Sequence, residues 1–234
     1  MNLVQLINSI DYSPLYISIK TGIVATGIAF FLGIFAARLV MNASKRLKMI
    51  IDTLLTLPLV LPPTVAGFFL LILFSLRRPF GKFLYLNFDI KIVQTWAGCV
   101  IAAGVIAFPL MYRNARAAFE QVDINLIHAA RTLGLTEYKI FWKIILPLAR
   151  PGIISGTVLT FARAIGEYGA TSMLAGNILG KTRTMSVAIA SEVAGGNYSV
   201  AGFWVILLVI LSFLIIYLIH TFSGGDSKAN HKWE

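Results

Sequence analysis

The sequence has few charged residues and almost no cysteine. Charged side chains make up 13% of its 234 residues, and Cys99 is its single cysteine. Ordinary soluble domains carry about 25% charged residues, so a water-soluble globular protein is excluded. One cysteine excludes a disulfide framework or a cysteine-based metal site within the chain. The phosphate-binding pattern Gly-x-x-x-x-Gly-Lys-Ser/Thr is also missing, so we expect no bound nucleotide, cofactor or catalytic site in this chain.

Hydrophobic residues, by contrast, make up 58% of the chain. A spanning helix needs about 20 mostly apolar residues, because its backbone groups cannot hydrogen-bond to lipid. We therefore predict an all-α integral membrane protein in which residues 1–234 form a single transmembrane domain. Residues 223–234 are polar, and we expect them to be a disordered tail. The five predicted spans are Tyr16–Val40, Ile50–Leu76, Thr95–Met111, Gly152–Leu174 and Ala201–Thr221.

The chain has a net charge of +10, and the distribution of its basic residues indicates its orientation. In membrane proteins, the Lys and Arg residues of short loops lie mostly on the cytoplasmic side. An external N-terminus gives twelve basic residues inside and seven outside, so we predict N-out and C-in. We therefore expect the chain to contact membrane lipid and not to bind nucleic acid. The inner set is Arg38, Lys45, Arg46, Lys48, Arg113, Arg116, Arg131, Lys139, Lys143, Arg150, Lys228 and Lys232. The outer set is Lys20, Arg77, Arg78, Lys82, Lys91, Lys181 and Arg183.

Three prolines, Pro58, Pro62 and Pro63, fall close together in the second predicted span. Proline removes a backbone donor and clashes with the preceding turn, so this helix must break or kink. In a membrane, a break is tolerated only where the freed carbonyl groups face protein or water. Two interpretations stay open: a translocation pathway that includes these prolines and Thr64, or a structural kink buried between helices.

The fourth predicted span contains an acidic and a basic residue four positions apart, Arg163 and Glu167. That spacing predicts a pair on one helix face. Ionisable residues within a span are costly unless they face the bundle interior or water. The pair either fixes helix packing or a subunit contact, or it takes part in anion passage or gating. We also expect backbone N–H groups and hydroxyls near the second span and Thr171 to contact the passing anion.

The stretch 176–196 is too polar to span a membrane, and its apolar part, Met185–Ala194, is only about half the required length. It predicts a re-entrant or interfacial helix on the outer side, with an ordinary loop as the alternative. Five outer basic residues run against the orientation rule. They dock acidic patches of a partner protein, attract anions, or anchor the chain to lipid headgroups: Arg77, Arg78, Lys82, Lys181 and Arg183.

A polar, basic segment between Asp123 and Pro151 interrupts the hydrophobic chain. It contains two alanines, a glycine four positions after the second, and the sequence Ile-x-Leu-Pro after nine more residues. The small residues predict a short helix, 124–138, whose bare face fits a groove of a partner, and Asp123 is a plausible N-cap. A solvated amphipathic helix is the alternative. The candidate contacts are His128, Ala129, Ala130, Arg131, Gly134 and Leu135.

This spacing resembles the EAA loop of ABC-importer permeases, whose pattern is Glu-Ala-Ala, three residues, Gly, nine residues and Ile-x-Leu-Pro. The chain departs from the pattern at His128, where Glu is common. Residues 54–192 as a whole are similar to the molybdate permeases of that group, through Phe-Ala-Arg at 161–163 and Gly-Glu-Tyr-Gly-Ala-Thr at 166–171. Further matching segments are 57–63, 129–134, 146–148, 151–158 and 177–184.

The resemblance implies an ABC type I importer permease fold in the bacterial inner membrane, with helix 124–138 as the cytoplasmic coupling helix. It also implies a homodimer of this chain, two ABC ATPase subunits that bind ATP and Mg, and a periplasmic molybdate-binding protein. Tungstate and sulfate or thiosulfate stay open as substrates, because these anions have similar shapes. A membrane-embedded enzyme is disfavoured, since neither His-Glu-x-x-His nor Gly-x-Ser-x-Gly occurs.

Overall fold

The computed structural model describes residues 10–41 and 43–223, with side chains as far as residue 217. Over that range the chain is helical and contains no strand. Residues 141–145 form a π-helical segment. The helices are α1 Ser13–Met41, α2 Lys45–Val60, α3 Pro63–Phe74, α4 Pro79–Phe88, α5 Trp96–Glu120, α6 Ile124–Thr132, α7 Glu137–Ile165, α8 Gly169–Leu174, α9 Met185–Ala194 and α10 Tyr198–Ser223.

Helix α5 lies at the centre of the bundle and packs most extensively against α1 and α7. Small residues at the crossings let the helices approach closely, as is common in membranes. A Cβ atom on Gly33 of α1 would lie 2.8 Å from Cγ of Met111, and one on Gly156 of α7 would lie 2.5 Å from Cβ of Asn114. These three helices therefore form the frame on which the shorter elements are mounted.

Four of the described helices, α1, α5, α7 and α10, are long and apolar enough to cross a membrane. The α2–α3 pair makes a fifth span if it is counted as one bent element, and its two helices meet at 108°. Leu61 and Pro62 are extended, because a residue before a proline is driven out of the helical region. The predicted break of the second span is confirmed.

The predicted bounds of the fourth span, Gly152–Leu174, are wrong at both ends. Helix α7 begins at Glu137 and ends at Ile165, and the separate helix α8 follows. Gly166, Glu167 and Gly169 interrupt the apolar pattern at this boundary, but the predicted span was extended across them. At the boundary, Glu167 precedes Tyr168, the N-cap of α8, and its Oε1 accepts the backbone N–H of Ala170 at 2.8 Å, so it satisfies one of the free N–H groups at the start of the new helix.

The remaining predictions about the elements have mixed outcomes. Met185–Ala194 is a helix, α9, which packs against α10 and α1. Its first backbone N–H, from Met185, donates to Oγ of Ser18 at 2.8 Å. The third span extends past its predicted end, Met111, to Glu120. The predicted tail, 223–234, lies outside the described residues beyond Ser223.

Candidate functional site

Helix α6 connects α5 to α7 at one end of the bundle, which we call the α6 end. Asp123 begins it as predicted, since its carboxylate accepts the backbone N–H of Asn125 at 2.8 Å. Ile127 and Ala130 are buried in a cluster that includes Val40 of α1 and Phe119 of α5. One face of α6 is thus fixed to the frame, and a displacement of α6 must also displace the ends of its neighbours.

The opposite face of α6 is exposed. His128, Ala129 and Arg131 lie on the surface, and Leu133, which follows the helix, is 81% exposed. Ala129 and Leu133 are four residues apart and share one side of the helix. Ala130 does not belong to this surface, because it is 3% exposed and faces the chain's own core. The two alanines of the motif therefore have different environments.

Gly134 ends α6 rather than forming part of its face. Its φ is +75°, and its N–H donates to the carbonyl of Arg131 at 2.9 Å, while the N–H of Leu135 donates to that of Ala130 at 3.1 Å. This is the Schellman pattern of helix termination, which favours glycine because of the left-handed backbone. The predicted helix 124–138 is therefore wrong in extent: it comprises α6, this turn and the start of α7.

The other half of the motif, Ile144–Pro147, lies where the π-helical segment of α7 ends at Ile145. The N–H of Leu146 donates to the carbonyl of Phe141, five residues earlier. Pro147 follows and has no N–H to donate, so the regular bonding pattern cannot be maintained at this point. Short π segments often occur at functional sites. The sequence Ile-x-Leu-Pro thus marks a change in helical winding beside the cluster in which Ile127 and Ala130 of α6 are buried.

An ion pair joins the end of α6 to the start of α7. Arg131 donates to Glu137 through Nε at 2.7 Å and Nη2 at 3.2 Å. The hydrogen bond that Arg131 donates to the Glu137 carboxylate raises the pKa of Arg131 above its usual value. Both side chains are about half exposed or more, so the pair adds little to stability. It joins the two sides of the turn around Gly134.

The break between α2 and α3 contacts the break between α7 and α8. A Cβ atom on Gly67 of α3 would lie 2.6 Å from Cα of Ala170 on α8. One on Gly169 would lie 3.0 Å both from Cβ of Pro63 and from the backbone N of Thr64. The predicted pathway residues of the second span are thus in direct contact with the segment Gly166–Thr171. Both breaks leave backbone groups outside regular helix at one place.

Arg163 and Glu167 form the predicted pair, but across a helix end rather than along one helix. Oε2 of Glu167 lies 2.7 Å from Nη1 of Arg163, in a charge contact that is not aligned as a hydrogen bond. The Glu167 side chain is 1% exposed and that of Arg163 is 31% exposed. The carboxylate therefore connects the last turn of α7 to the first turn of α8, and it cancels most of the arginine's charge.

The other candidate pathway residues differ in exposure. Pro62 and Thr64 are exposed and Pro58 is half-buried, whereas Thr171 is 1% exposed. Its side chain is enclosed by the protein and does not line an open surface of the single chain. Among the predicted candidates, the break in α2–α3 is therefore more accessible than the opposing helix α8.

A polar network at the α6 end was missed by the sequence reasoning. Lys48 and Asp52 of α2 face Arg116 and Glu120 of α5: Nζ of Lys48 lies 2.8 Å from Oε1 of Glu120, and Arg116 pairs with both carboxylates. The hydroxyl of Tyr112 also donates to Oδ1 of Asp52 at 2.8 Å. Helix α2 has no fully buried residue, so this network is its main polar attachment to the frame. In the sequence, this network is indicated by two pairs of opposite charge with a spacing of four residues, Lys48 with Asp52 and Arg116 with Glu120.

Four of the five outer basic candidates are exposed at the end of the bundle opposite α6: Arg77, Arg78, Lys82 and Lys181. Arg183 differs, because its Nη2 donates to Oε1 of Glu192 at 2.7 Å and both side chains are mostly buried. Arg183 therefore forms an ion pair within the chain, which connects the residues just before α9 with the end of that helix.

Comparison with known proteins gives this architecture a family. The molybdenum transport system permease protein ModB of Escherichia coli (strain K12) is 42% identical over 209 residues, which cover 88% of this chain and 91% of ModB. The sulfate transport system permease protein CysT of Salmonella typhimurium is 35% identical over 174 residues, covering 74% of this chain and 62% of CysT. An inward-facing structure of the MetNI methionine ABC transporter superposes with a TM-score of 0.72 at 19% identity, covering 90% and 93% of the two chains. The model of the family "Binding-protein-dependent transport system inner membrane component" matches residues 29–223, and the chain belongs to that family.

Proposed function

We propose that this chain is the subunit through which an ATP-driven importer moves molybdate across the bacterial inner membrane. The identity with ModB over most of both chains supports molybdate as the substrate. Tungstate is the nearest alternative because it has the same shape and charge. Sulfate or thiosulfate is less favoured, since the sulfate relative is less similar and the match covers less of its length.

The exposed face of α6 is the observation that carries an ATPase-driven mechanism. Leu133 is 81% exposed beside charged groups, and Ala129 lies on the same side. Ile124 and Leu126 of α6 are exposed as well, and several apolar residues exposed together among polar ones favour a complementary surface of another protein. We infer that this partner is the ATPase subunit that binds ATP and Mg, as in other ABC importers.

The assembly that follows contains two copies of this chain, two ATPase subunits and a periplasmic molybdate-binding protein. The homodimer is supported by the large apolar surface of α2, which has no buried residue within one chain.

The binding protein supplies selectivity and is proposed to dock on Arg77, Arg78, Lys82 and Lys181. Neutralising these four residues together is expected to weaken uptake and its dependence on salt, because such contacts are screened over about 8 Å at physiological salt.

The coupling route runs through α7. Closure of the ATPase subunits displaces α6, whose buried residues Ile127 and Ala130 pack against the α6 ends of α1, α5 and α7. Helix α7 is about 43 Å long at 1.5 Å per residue, so it carries the displacement to the opposite end. There the Glu167 link moves α8, and α8 presses on α3 at Gly67. The two meeting breaks are the proposed gate for alternating access.

The anion is proposed to pass the break in α2–α3, close to Pro58, Pro62 and Thr64. Backbone N–H groups and hydroxyls there offer weak, short-lived contacts. Arg163 is balanced by Glu167, so it forms no strong cationic trap. A weak site suits transport, because an anion held tightly in the pathway would not be released to the cytoplasm.

The proposed topology has five spans, with the bent α2–α3 pair as one of them, the N-terminus outside and α6 in the cytoplasm. Thiol labelling tests it: Ala129→Cys should react with a membrane-impermeant maleimide only in inverted vesicles, and Asn87→Cys, as the matched control, only in intact cells. The native Cys99 is 0% exposed, so it should add little background labelling. Labelling of Ala129→Cys in intact cells would rule out an ATPase at α6.

Function is tested by reconstituting the chain with its ATPase and binding protein in vesicles and measuring radiolabelled molybdate uptake. Excess tungstate is expected to compete strongly and excess sulfate weakly. Ala129→Trp should keep the complex's ATPase activity while uptake falls at least about ten-fold, and Asn87→Trp should transport normally. Equal competition by sulfate would contradict the substrate assignment, and normal uptake by Ala129→Trp would contradict the role of α6.

A further inference from the structure

A large apolar groove lies between α1 and α7 on the side of the bundle away from α5. It has a volume of about 950 Å³, near the upper end of the range typical of small-molecule sites. Phe31 and Phe35 of α1 and Ile154 of α7 are among its apolar lining residues. Phe31 is 73% exposed, so the groove is open to whatever surrounds the chain.

Two arginines, one from each wall, are the cationic residues that line this groove: Arg38 of α1 and Arg150 of α7. No carboxylate lines it, and no described carboxylate lies within ion-pair distance of either guanidinium. Arg38 is instead stacked over the ring of Phe141, with its Cζ 4.0 Å from the ring centroid. A cation beside apolar surface in a membrane is costly without a counter-charge.

The aromatic residues show where the groove lies in the bilayer. Trp142 lines the groove, is 49% exposed and packs against Tyr138 with ring centroids 6.2 Å apart. Tyr and Trp are enriched at the level of lipid headgroups. The arginine–tryptophan end of the groove therefore lies at a membrane–water interface, and from Arg38 to Phe30 the groove runs about 12 Å along α1 towards the bilayer centre.

We propose that the α1–α7 groove binds an anionic phospholipid. Its acyl chain lies against Phe31, Phe35 and Ile154, and its phosphate pairs with Arg38 and Arg150, whose long side chains reach the headgroup level. An acyl chain matches the apolar lining, and a phosphate supplies the anion that the chain itself does not provide. Phe141 and Trp142 belong to the π-helical segment; Phe141 is buried beneath Arg38, and Trp142 is half exposed beside the groove.

The test measures quenching of Trp142 fluorescence in the full-length chain, reconstituted in vesicles with brominated phosphatidylglycerol or brominated phosphatidylcholine. The Trp142 signal is the part lost in Trp142→Phe. Phosphatidylglycerol should quench this signal at a roughly 25-fold lower mole fraction than phosphatidylcholine, because two arginines contribute about five-fold each. Arg38→Gln and Arg150→Gln should each lower that preference roughly five-fold, the factor for about 1 kcal/mol per basic residue near an anionic lipid.

Two controls keep the outcome unambiguous. Arg46→Gln removes an exposed charge at the same end but outside the groove, and it should leave the preference unchanged. Arg38→Lys keeps the charge and should retain most of the preference even if stacking on Phe141 is lost. Equal quenching by both lipids would overturn the proposal, as would no quenching by either, which is the result expected if a second copy of the chain covers the groove.

Discussion

The link between Arg163 and Glu167 gives the most direct test of the proposed gate. Glu167→Ala removes both the acceptor for the N–H of Ala170 and the counter-charge of Arg163. The hydrogen bond from Ala170 is the one that the Glu167 carboxylate accepts, and loss of a hydrogen bond to a charged group costs about 1.5–3 kcal/mol. Because Arg163 is partly exposed and can be solvated, we expect Glu167→Ala to lower the free energy of unfolding by about that amount.

The partner variant behaves differently because the burial of the two side chains is unequal. Arg163→Ala leaves a 1% exposed carboxylate with no cation, which costs about 3–5 kcal/mol when a buried pair is broken. We expect the lower end of that range, because the N–H of Ala170 still stabilises the charge. Glu167→Gln keeps an acceptor for that N–H and should cost less than Glu167→Ala.

The double variant Arg163→Ala/Glu167→Gln measures the coupling. It should be more stable than the sum of its single changes by about 1.5 kcal/mol or more, since contacting residues show coupling of about 0.5–3 kcal/mol. Thermal unfolding of the purified protein is the assay, where each kcal/mol corresponds to about 2–4 °C for a chain of 150–250 residues. Additive single effects, within about 0.5 kcal/mol, would refute the link across the break.

Molybdate uptake by the same variants separates the two roles that the sequence left open. If the pair only positions α8, the double variant should recover uptake together with stability. If Arg163 or Glu167 contacts the anion, stability should return while uptake stays low. Arg163→Lys, which keeps the charge, is the control for both measurements.

Three further predictions concern close contacts and local geometry. Gly67→Leu should lower stability by about 1–3 kcal/mol and block uptake, because its Cβ would lie 2.6 Å from Cα of Ala170; unchanged uptake would dismiss the α3–α8 contact. Gly134→Val should weaken ATPase binding more than Gly134→Asn in pull-down assays, because φ of +75° is strained for a branched side chain. Tyr112→Phe should cost about 1 kcal/mol in thermal unfolding through loss of its hydrogen bond to Asp52, and no change would show that the bond is not significant.

The sequence predicted the features that depend on a few neighbouring residues. Pro62 and Pro63 break the second span because proline geometry acts locally. Asp123 caps α6 because its carboxylate needs only the N–H of Asn125. The helical nature of Met185–Ala194 was likewise available from its apolar pattern. The end of α7 was not predicted, because Arg163 and Glu167 were placed on one helix, whereas in the fold the Glu167 carboxylate accepts the N–H of Ala170 at the start of α8.

Apolar composition, the proline break and the spacing of the Ala-Ala-Gly motif therefore determined by themselves that this is a helical membrane protein of the importer-permease type. Only the tertiary structure decided that Ala130 is buried while Ala129 is exposed, and that Gly67 meets Ala170. It alone placed Arg38 and Arg150 in one groove. The physical reason is that each of these contacts joins helices far apart along the chain, and the crossing of packed helices is fixed by all their side chains together.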